Sequence, residues 1–375
     1  MRIVSIVGAR PEFVQVAVLS GELRRNHEEI LIHTGQHYDA GMSDRFFQEL
    51  DIPAPDVNLG IEPQAPSAQT GSMLKGLAEA IRRLDADLVI VRGDTNSTLA
   101  GAIVAKQLLL PLGHVEAGMR SYDRTMPEEI NRVVTDHLAD LQFVTDDAAR
   151  DRLVAEGVTK GIHVCGDVMY DLFLRARERA LESPPPDLRA ALREPYVLLT
   201  LHRAENTDDR ERLAAIVAGF RNAPLRVIFP LHPRTQARLR EFNIDLPPAV
   251  LATPPLGSLE IVALECGART IFTDSGGVQR EAYFAATPCV TLRDTTEWTN
   301  TVEAGWNRLV GANSNAIAGF LADPPAPAVA HPPLFGDGNA ARRIAEVLET
   351  PETAAIVAEA RATRRARGYA AASER

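Results

Sequence analysis

Cysteine is scarce in this chain: Cys165, Cys266 and Cys289 are odd in number, widely separated and set in apolar runs. That spacing argues against a disulfide framework and against a zinc site, and a reducing cytoplasm is the compartment that fits it best. Long apolar runs are missing as well. No stretch approaches the roughly 18 residues a membrane helix needs, and the early Ile3-Val4-Ser5-Ile6-Val7 is too short for a secretion signal and reads as a first strand. Nor is there an excess of positive charge, since 40 basic residues face 50 acidic ones for a formal charge of -10. A nucleic-acid coat or an anionic membrane surface is therefore a poor partner. A small anionic ligand held by local arginines is still compatible. The dinucleotide fingerprint is absent too, because Gly8 has no glycine partners at the required spacing.

What is present is ordinary for a soluble globular protein, with 45% apolar and 24% charged residues. At 375 residues the chain exceeds the size of one core, so two domains are expected. Apolar runs at Arg2 to Val7, Glu29 to His33, Asp87 to Arg92, Leu112 to Glu116, Leu141 to Val144 and Ile162 to Cys165 alternate with helical stretches. Such a pattern predicts an α/β fold, a doubly wound parallel sheet covered on both faces. The pattern restarts with strands at Tyr196 to Leu201, Leu225 to Pro230, Arg269 to Thr273 and Cys289 to Leu292, which predicts a second domain of the same kind. Gly166-Asp167-Val168 reads as the crossing point, and the proline-rich 323–333 stretch as a surface linker.

In sheets of this type ligands sit beyond the carboxyl ends of the strands. Arg10, Asp94 and Glu116 fall at three such ends. Glu116 belongs to a stretch from Gly113 to Arg132 that mixes Glu116, Asp123 and Glu128 with Arg120, Arg124 and Arg132. Pro127 followed by Glu128 and Glu129 is what a helix start prefers, so each acid also has a purely structural explanation. In the second half His202 and Arg203, followed by Glu205 and Asn206, leave a strand end and suit phosphate oxygens. Asp274-Ser275-Gly276-Gly277 turns from a strand into a helix whose amides can cradle a diphosphate, with Glu281 one turn further on to accept ribose hydroxyls.

Seven pieces in order carry a resemblance over nearly the whole chain: Gly8-Ala9-Arg10-Pro11-Glu12, Thr34-Gly35-Gln36-His37, Gly93-Asp94-Thr95, His114-Val115-Glu116-Ala117-Gly118, Pro127-Glu128-Glu129 with Asn131-Arg132, His202-Arg203 with Glu205-Asn206, and Asp274 through Glu281. The chain resembles the non-hydrolysing UDP-N-acetylglucosamine 2-epimerases, with features of the archaeal-type and UDP-2,3-diacetamido-glucuronate 2-epimerase branch. The resemblance implies two Rossmann-like domains of the GT-B type with the nucleotide sugar in the interdomain cleft. The expected division is residues 1–167 with the catalytic acids, joined by a C-terminal helix over 352–372, and residues 168–351 for UDP. A homodimer is the family expectation; no metal and no cofactor are implied.

The family chemistry accounts for the number of acids. The C2 proton of the sugar has no neighbouring carbonyl to acidify it. Departure of UDP from C1 supplies that acidity and leaves a 2-acetamidoglucal; protonation from the other face and return of UDP invert C2. By resemblance Asp94, Glu116 and Glu128 are the acid/base set and His202 sits against the leaving diphosphate. Arg10, Arg203, Glu205, Asn206, Ser275, Gly276, Gly277 and Glu281 are the implied substrate-binding residues. Thr95 stands where the hydrolysing branch usually has Arg.

Departures from the family pattern carry their own expectations. The usual lysine after the first glycine turn is Gln15, the frequent Thr-Glu-Arg-Pro run is Thr296-Glu297-Trp298-Thr299, and Ile261 takes the place of the aromatic near the uracil. Tyr38-Asp39 and Ser72 replace residues of the bacterial regulatory site, so activation by substrate is not expected. UDP-2,3-diacetamido-glucuronate is the alternative substrate, for whose 6-carboxylate Arg120, Arg124 or Arg203 would be the extra cation. An inverting GT-B glycosyltransferase and a non-catalytic sugar-nucleotide sensor are weaker readings, since neither needs three acids near C1 and C2.

Overall fold

Runs of Val, Ile and Leu with no polar alternation have to be covered on both faces, and each becomes a central parallel strand. The computed structural model describes residues 1–35, 53–62, 64–182, 189, 191–324 and 331–369. Among them the chain divides into two units, Met1–Leu172 with Phe335–Arg375, and Phe173–Leu334.

Among the described residues the first unit holds seven parallel strands: β1 (Arg2–Val7), β2 (Glu28–His33), β3 (Val57–Asn58), β4 (Leu88–Arg92), β5 (Leu112–Ala117), β6 (Leu141–Val144) and β7 (Ile162–Val164). Their order in the sheet is β3-β2-β1-β4-β5-β6-β7. The chain winds outward from β1, comes back to lay β4 against β1, and then winds the other way. Between strands run α1 (Arg10–Leu23), α2 (Pro66–Arg82), α3 (Asn96–Gln107), α4 (Pro127–Leu138) and α5 (Asp147–Ala155). One face of the sheet packs Leu19, Leu23, Ile90 and Phe143 into a core; the other packs Val4, Val91, Met73 and Leu77.

Helix α6 (Val168–Glu182) carries the chain from the first unit into the second. There the strands are β8 (Tyr196–Thr200), β9 (Arg226–Pro230), β10 (Val250–Thr253), β11 (Ile271–Thr273), β12 (Cys289–Thr291) and β13 (Asn307–Leu309). They are parallel in the order β10-β9-β8-β11-β12-β13, with the reversal of winding between β8 and β11. The helices are α7 (Ala204–Thr207), α8 (Arg210–Gly219), α9 (Pro233–Glu241), α10 (Ser258–Gly267), α11 (Gly276–Phe284), α12 (Thr299–Glu303) and α13 (Ser314–Ala322). Two doubly wound, Rossmann-like α/β units therefore stand in one chain, the fold class read from the sequence.

The chain returns to the first unit at Phe335, earlier than the 352 drawn from sequence, so α14 (Ala340–Leu348) comes back together with α15 (Pro351–Ala366). The physical reason is the apolar face of α14: Ala340, Ala341, Ile344, Ala345 and Leu348 are buried with Val18, Leu19 and Leu23 of α1. Asp171 secures the return by accepting from Ala340 N at 3.0 Å and Ala341 N at 2.8 Å. Strands β3, β10 and β13 were not read from the sequence. All three are short and at sheet edges, with mixed burial.

Candidate functional site

Both reversals of winding put two loops side by side at the carboxyl ends of neighbouring strands, the place where doubly wound sheets bind ligands. In the first unit the loops follow β1 and β4; in the second they follow β8 and β11.

After β1 the chain turns at Gly8, where any Cβ would stand 1.9 Å from Ser97 Oγ. Glu12 then folds back so that its carboxylate accepts from Gly8 N at 2.5 Å, Ala9 N at 2.8 Å, Thr95 Oγ1 at 2.7 Å and Thr98 Oγ1 at 3.0 Å. Burial pushes the Glu12 carboxyl up against these donors, and Arg92, itself fully buried in β4, faces it as a cation. The two amides that precede the first helix are thus taken up by its own acid. The side chain of Arg10 lies outside the described residues, as do Gln36, His37, Tyr38 and Asp39.

After β4, Gly93 turns at φ +62° into Asp94, and Thr95 caps α3 by accepting from Ser97 N and Thr98 N. Asp94 pairs with Arg132 of α4, and Asn131 Nδ2 donates to the Asp94 carbonyl at 2.9 Å. Burial pushes the Asp94 carboxyl up; Arg132 opposes the rise, and the charges of Glu116 and Glu128 add to it. An acid from a turn, one from a strand end and one from a helix start thus lie within charge range of one another.

Glu116 reaches this range from an unusual backbone. It sits at φ +70° where β5 shifts register against β6 between Val115 and Ala117, a bulge that re-aims the side chain. Gln15 Nε2 of α1 donates to its Oε2 at 2.5 Å. Glu128 is exposed at the start of α4. Its neighbour Glu129 is structural, accepting from Ser121 N, Ser121 Oγ, Tyr122 N and Arg132 Nη1. Asp123 is an exposed loop residue that bonds Thr125.

Behind the acids lies a buried polar core with no clear signal in the sequence. His114 Nδ1 is 2.6 Å from Asp136 Oδ1 and Nε2 is 2.8 Å from the Gly93 carbonyl, so the ring braces the turn that carries Asp94. Arg120 Nη1 donates to Asp136 at 2.6 Å, while its other nitrogens bond Glu156 at 2.8 and 2.6 Å. Burial alone would raise the Asp136 carboxyl, but His114 and Arg120 pull it below the ordinary range. Arg120 is thereby committed to internal acids and buried, a correction to its candidacy as a cation for a substrate carboxylate.

In the second unit one fully buried acid organises both loops. Asp274 accepts from His202 N at 3.1 Å, Arg203 N at 2.9 Å and Asn206 Nδ2 at 3.3 Å, and lies 3.6 Å from His202 Nδ1. Desolvation pushes His202 down from its usual value; Asp274 opposes, and His232 and Arg203 push it further down. Asn206 is buried, its amide also donating to Leu292 O at 2.8 Å and its carbonyl accepting from Arg212 Nε at 3.2 Å. It braces the loop instead of facing a ligand, which corrects the sequence expectation. Glu205 is exposed and pairs with Arg212 at 3.3 Å.

Ser275 caps α11, its Oγ accepting from Val278 N at 3.4 Å. At Gly276 a Cβ would stand 2.1 Å from Glu297 Oε1, whereas Gly277 is exposed and a Cβ there would meet nothing closer than 3.7 Å. Arg293 Nη1 holds Glu297 at 2.9 Å, and Arg280 stacks on Trp298 with 4.6 Å to the ring centroid. Glu281 follows on α11, half-buried, and Ile261 is half-buried on α10. Among the described residues no cluster of His, Cys, Asp and Glu is arranged to hold a metal ion. No helix of the described residues is long and apolar enough to cross a membrane.

Comparison with known proteins gives a consistent family. The UDP-N-acetylglucosamine 2-epimerase family model matches residues 21–349. A UDP-N-acetylglucosamine 2-epimerase homolog of Methanococcus maripaludis is 46% identical over 358 residues, covering 93% of this chain and 99% of the relative. The UDP-2,3-diacetamido-2,3-dideoxy-D-glucuronate 2-epimerase of Pseudomonas aeruginosa is 42% identical, with the same coverage of 93% and 99%. The crystal structure of Methanocaldococcus jannaschii UDP-GlcNAc 2-epimerase in complex with UDP-GlcNAc and UDP aligns with a TM-score of 0.80 at 40% identity, covering 93% of this chain and 99% of that one.

Proposed function

The chain belongs to the UDP-N-acetylglucosamine 2-epimerase family, and we propose that it interconverts UDP-N-acetylglucosamine and UDP-N-acetylmannosamine by inversion at C2. The observation that carries this reading is the gathering of Asp94, Glu116 and Glu128 around the first winding reversal. A transfer enzyme that only activates an acceptor has no use for three.

The reaction needs a proton taken from C2 on one face and a proton returned on the other. As the C1–O bond breaks, its electron pair leaves with UDP and the C2–H pair forms the C1=C2 bond of 2-acetamidoglucal. Return of a proton to C2 from the opposite face lets the UDP oxygen rebond to C1. Two of the three acids serve as base and acid, and each such transfer contributes about 10² to 10⁴ in rate. The diphosphate falls to His202, Arg203 and the Ser275-Gly276-Gly277 helix start, whose amides and dipole suit an anion. Glu281 accepts the ribose hydroxyls, and Arg10 is the remaining phosphate cation of the first unit.

UDP-2,3-diacetamido-glucuronate, the substrate that the name of the Pseudomonas relative gives, would require an additional cation. With Arg120 committed to Asp136 and Glu156, that role would fall to Arg124 or Arg203. A homodimer and a cytoplasmic location complete the proposal. Three unpaired thiols suit a reducing compartment, and sedimentation gives the assembly state.

The test is incubation with UDP-N-acetylglucosamine in heavy water, without an acceptor, followed by NMR. A UDP-N-acetylmannosamine product with deuterium at C2 and little free UDP is expected. Binding without exchange at C2 sinks the proposal, and turnover of the diacetamido-uronate alone selects the other substrate.

A further inference from the structure

Helix α4 carries Glu128, Arg132 and Asp136 at intervals of four, which puts them on one face. Glu128 is exposed in the first turn and Arg132 pairs with Asp94; Asp136 is fully buried and has no part in the chemistry above. Its two oxygens reach two different turns. Oδ1 lies 2.6 Å from His114 Nδ1, and the far side of that ring, Nε2, lies 2.8 Å from the carbonyl of Gly93, the residue before Asp94. Oδ2 accepts from Gly118 N at 3.2 Å, two residues after Glu116, and from Arg120 Nη1 at 2.6 Å.

The direction of each bond follows from the groups that meet. A carbonyl oxygen has no hydrogen of its own, so Nε2 donates to Gly93. Burial works against the Asp136 carboxylate, but His114 and Arg120 outweigh it, and the ionised group accepts from Nδ1 as well. The His114 ring therefore donates from both nitrogens, spanning a backbone carbonyl and a carboxylate. Arg120 steadies the carboxylate from the other side, its remaining nitrogens held by Glu156 at the end of α5. Strand pairing reaches only part of the way. The β4–β5 register ends at Arg92 with Val115, the Gly93 amide donates to the Val115 carbonyl at 3.0 Å, and past it β5 shifts register against β6.

We propose that Asp136 is a positioning residue: one carboxylate, acting through the His114 ring on Gly93 and directly on the Gly118 amide, sets the separation of the turns that carry Asp94 and Glu116. The inference rests on the reading of those two acids as proton-transfer groups at C2. A base and an acid that work on opposite faces of one carbon need a fixed spacing, and a misplacement of about 1 Å costs about 10²-fold in rate. Asp136 touches no substrate in this role; it acts by where it holds Gly93 and Gly118.

Deuterium exchange at C2, calorimetric UDP affinity and nitrogen NMR of isotope-labelled histidine rings, measured on the parent chain, Asp136→Asn and Asp136→Leu, test this. In Asp136→Asn the amide nitrogen donates to His114 Nδ1 and the amide oxygen takes Gly118 and Arg120, so both turns keep their bonds and kcat stays within about fivefold of the parent. Asp136→Leu releases both turns and loses about 10²-fold in kcat, while UDP affinity holds because the helix start at Ser275 belongs to the other unit. The parent shows a histidine ring with hydrogens on both nitrogens, which Asp136→Asn replaces with a ring bearing a hydrogen on Nε2 alone. Thermal melts identify the folded variants; if Asp136→Leu does not fold, the ring spectra and Asp136→Asn decide. Absence of the doubly hydrogenated ring from the parent overturns the inference, as does undiminished kcat in folded Asp136→Leu or a loss beyond about tenfold in Asp136→Asn. A parent that exchanges nothing at C2 overturns the functional reading and the positioning role with it, whereas failure of this inference alone leaves exchange by the parent intact.

Discussion

Gln15 Nε2 donates to Glu116 Oε2 across 2.5 Å, joining the first helix to the end of the fifth strand. A neutral amide here orients the carboxylate without neutralising it, in the position where the family usually places a lysine. Gln15→Leu is expected to slow deuterium exchange at C2 about tenfold and to leave UDP affinity as it is. A matching loss of UDP affinity would show that Gln15 serves the nucleotide instead.

Asp94 shares its charge balance with Arg132. Its folded value lies above its unfolded one because burial outweighs the arginine. Its contribution to stability is therefore present below the unfolded value and is lost as pH rises through the folded one. Arg132→Met removes the chief opposing pull, so the acid limb of kcat/KM moves to higher pH. An acid limb that stays in place in that variant removes Asp94 as the titrating group.

Glu116 holds φ +70°, a left-handed conformation that costs a branched-chain or acidic residue roughly 1–2 kcal/mol. Glycine at this point relieves the strain and gives back part of the gain as unfolded-chain entropy. Glu116→Gly is expected to match or exceed the parent in urea unfolding, by up to about 1 kcal/mol, with C2 exchange abolished. A clear loss of stability would mean that the Gln15 bond matters more to the fold than the strained backbone does.

His202 is held below its usual value in the free protein, chiefly by desolvation. A bound diphosphate opposes that shift, so UDP binding takes up protons between the free and bound values. The difference in buffer-dependent binding enthalpy between the parent and His202→Asn isolates this uptake from the ionisation of the phosphates. No difference between the two would place His202 away from the diphosphate.

The central strands were legible because burial on both faces leaves an uninterrupted apolar run, as in Leu88–Arg92. The edge strands were read unevenly: Ile162–Val164 was found, whereas the half-exposed Val250–Thr253 was not. Asp94, Glu116 and Glu128 were singled out as a candidate set by the ordered motifs of the family resemblance, since position at an element end alone left each with a structural explanation. What could not be read is which polar groups spend themselves on each other. Asn206 looks like a ligand-facing residue until Leu292 O and Asp274 are seen to take its amide, and Arg120 looks available until Asp136 and Glu156 claim it. Those partners are 16 to 86 residues away in the chain, a separation that local pattern does not encode.

The late return of the chain sets an order of events at the ribosome. Helix α1 emerges among the first residues, yet part of its apolar cover is α14, more than three hundred residues later. Phe173–Leu334 is one uninterrupted segment and completes its own sheet while the first unit still lacks that cover. With synthesis at about 5–20 residues per second, Val18, Leu19 and Leu23 remain without it for roughly a quarter of a minute or longer. In that interval the nascent first unit is the natural client for a chaperone, although its residues are made first.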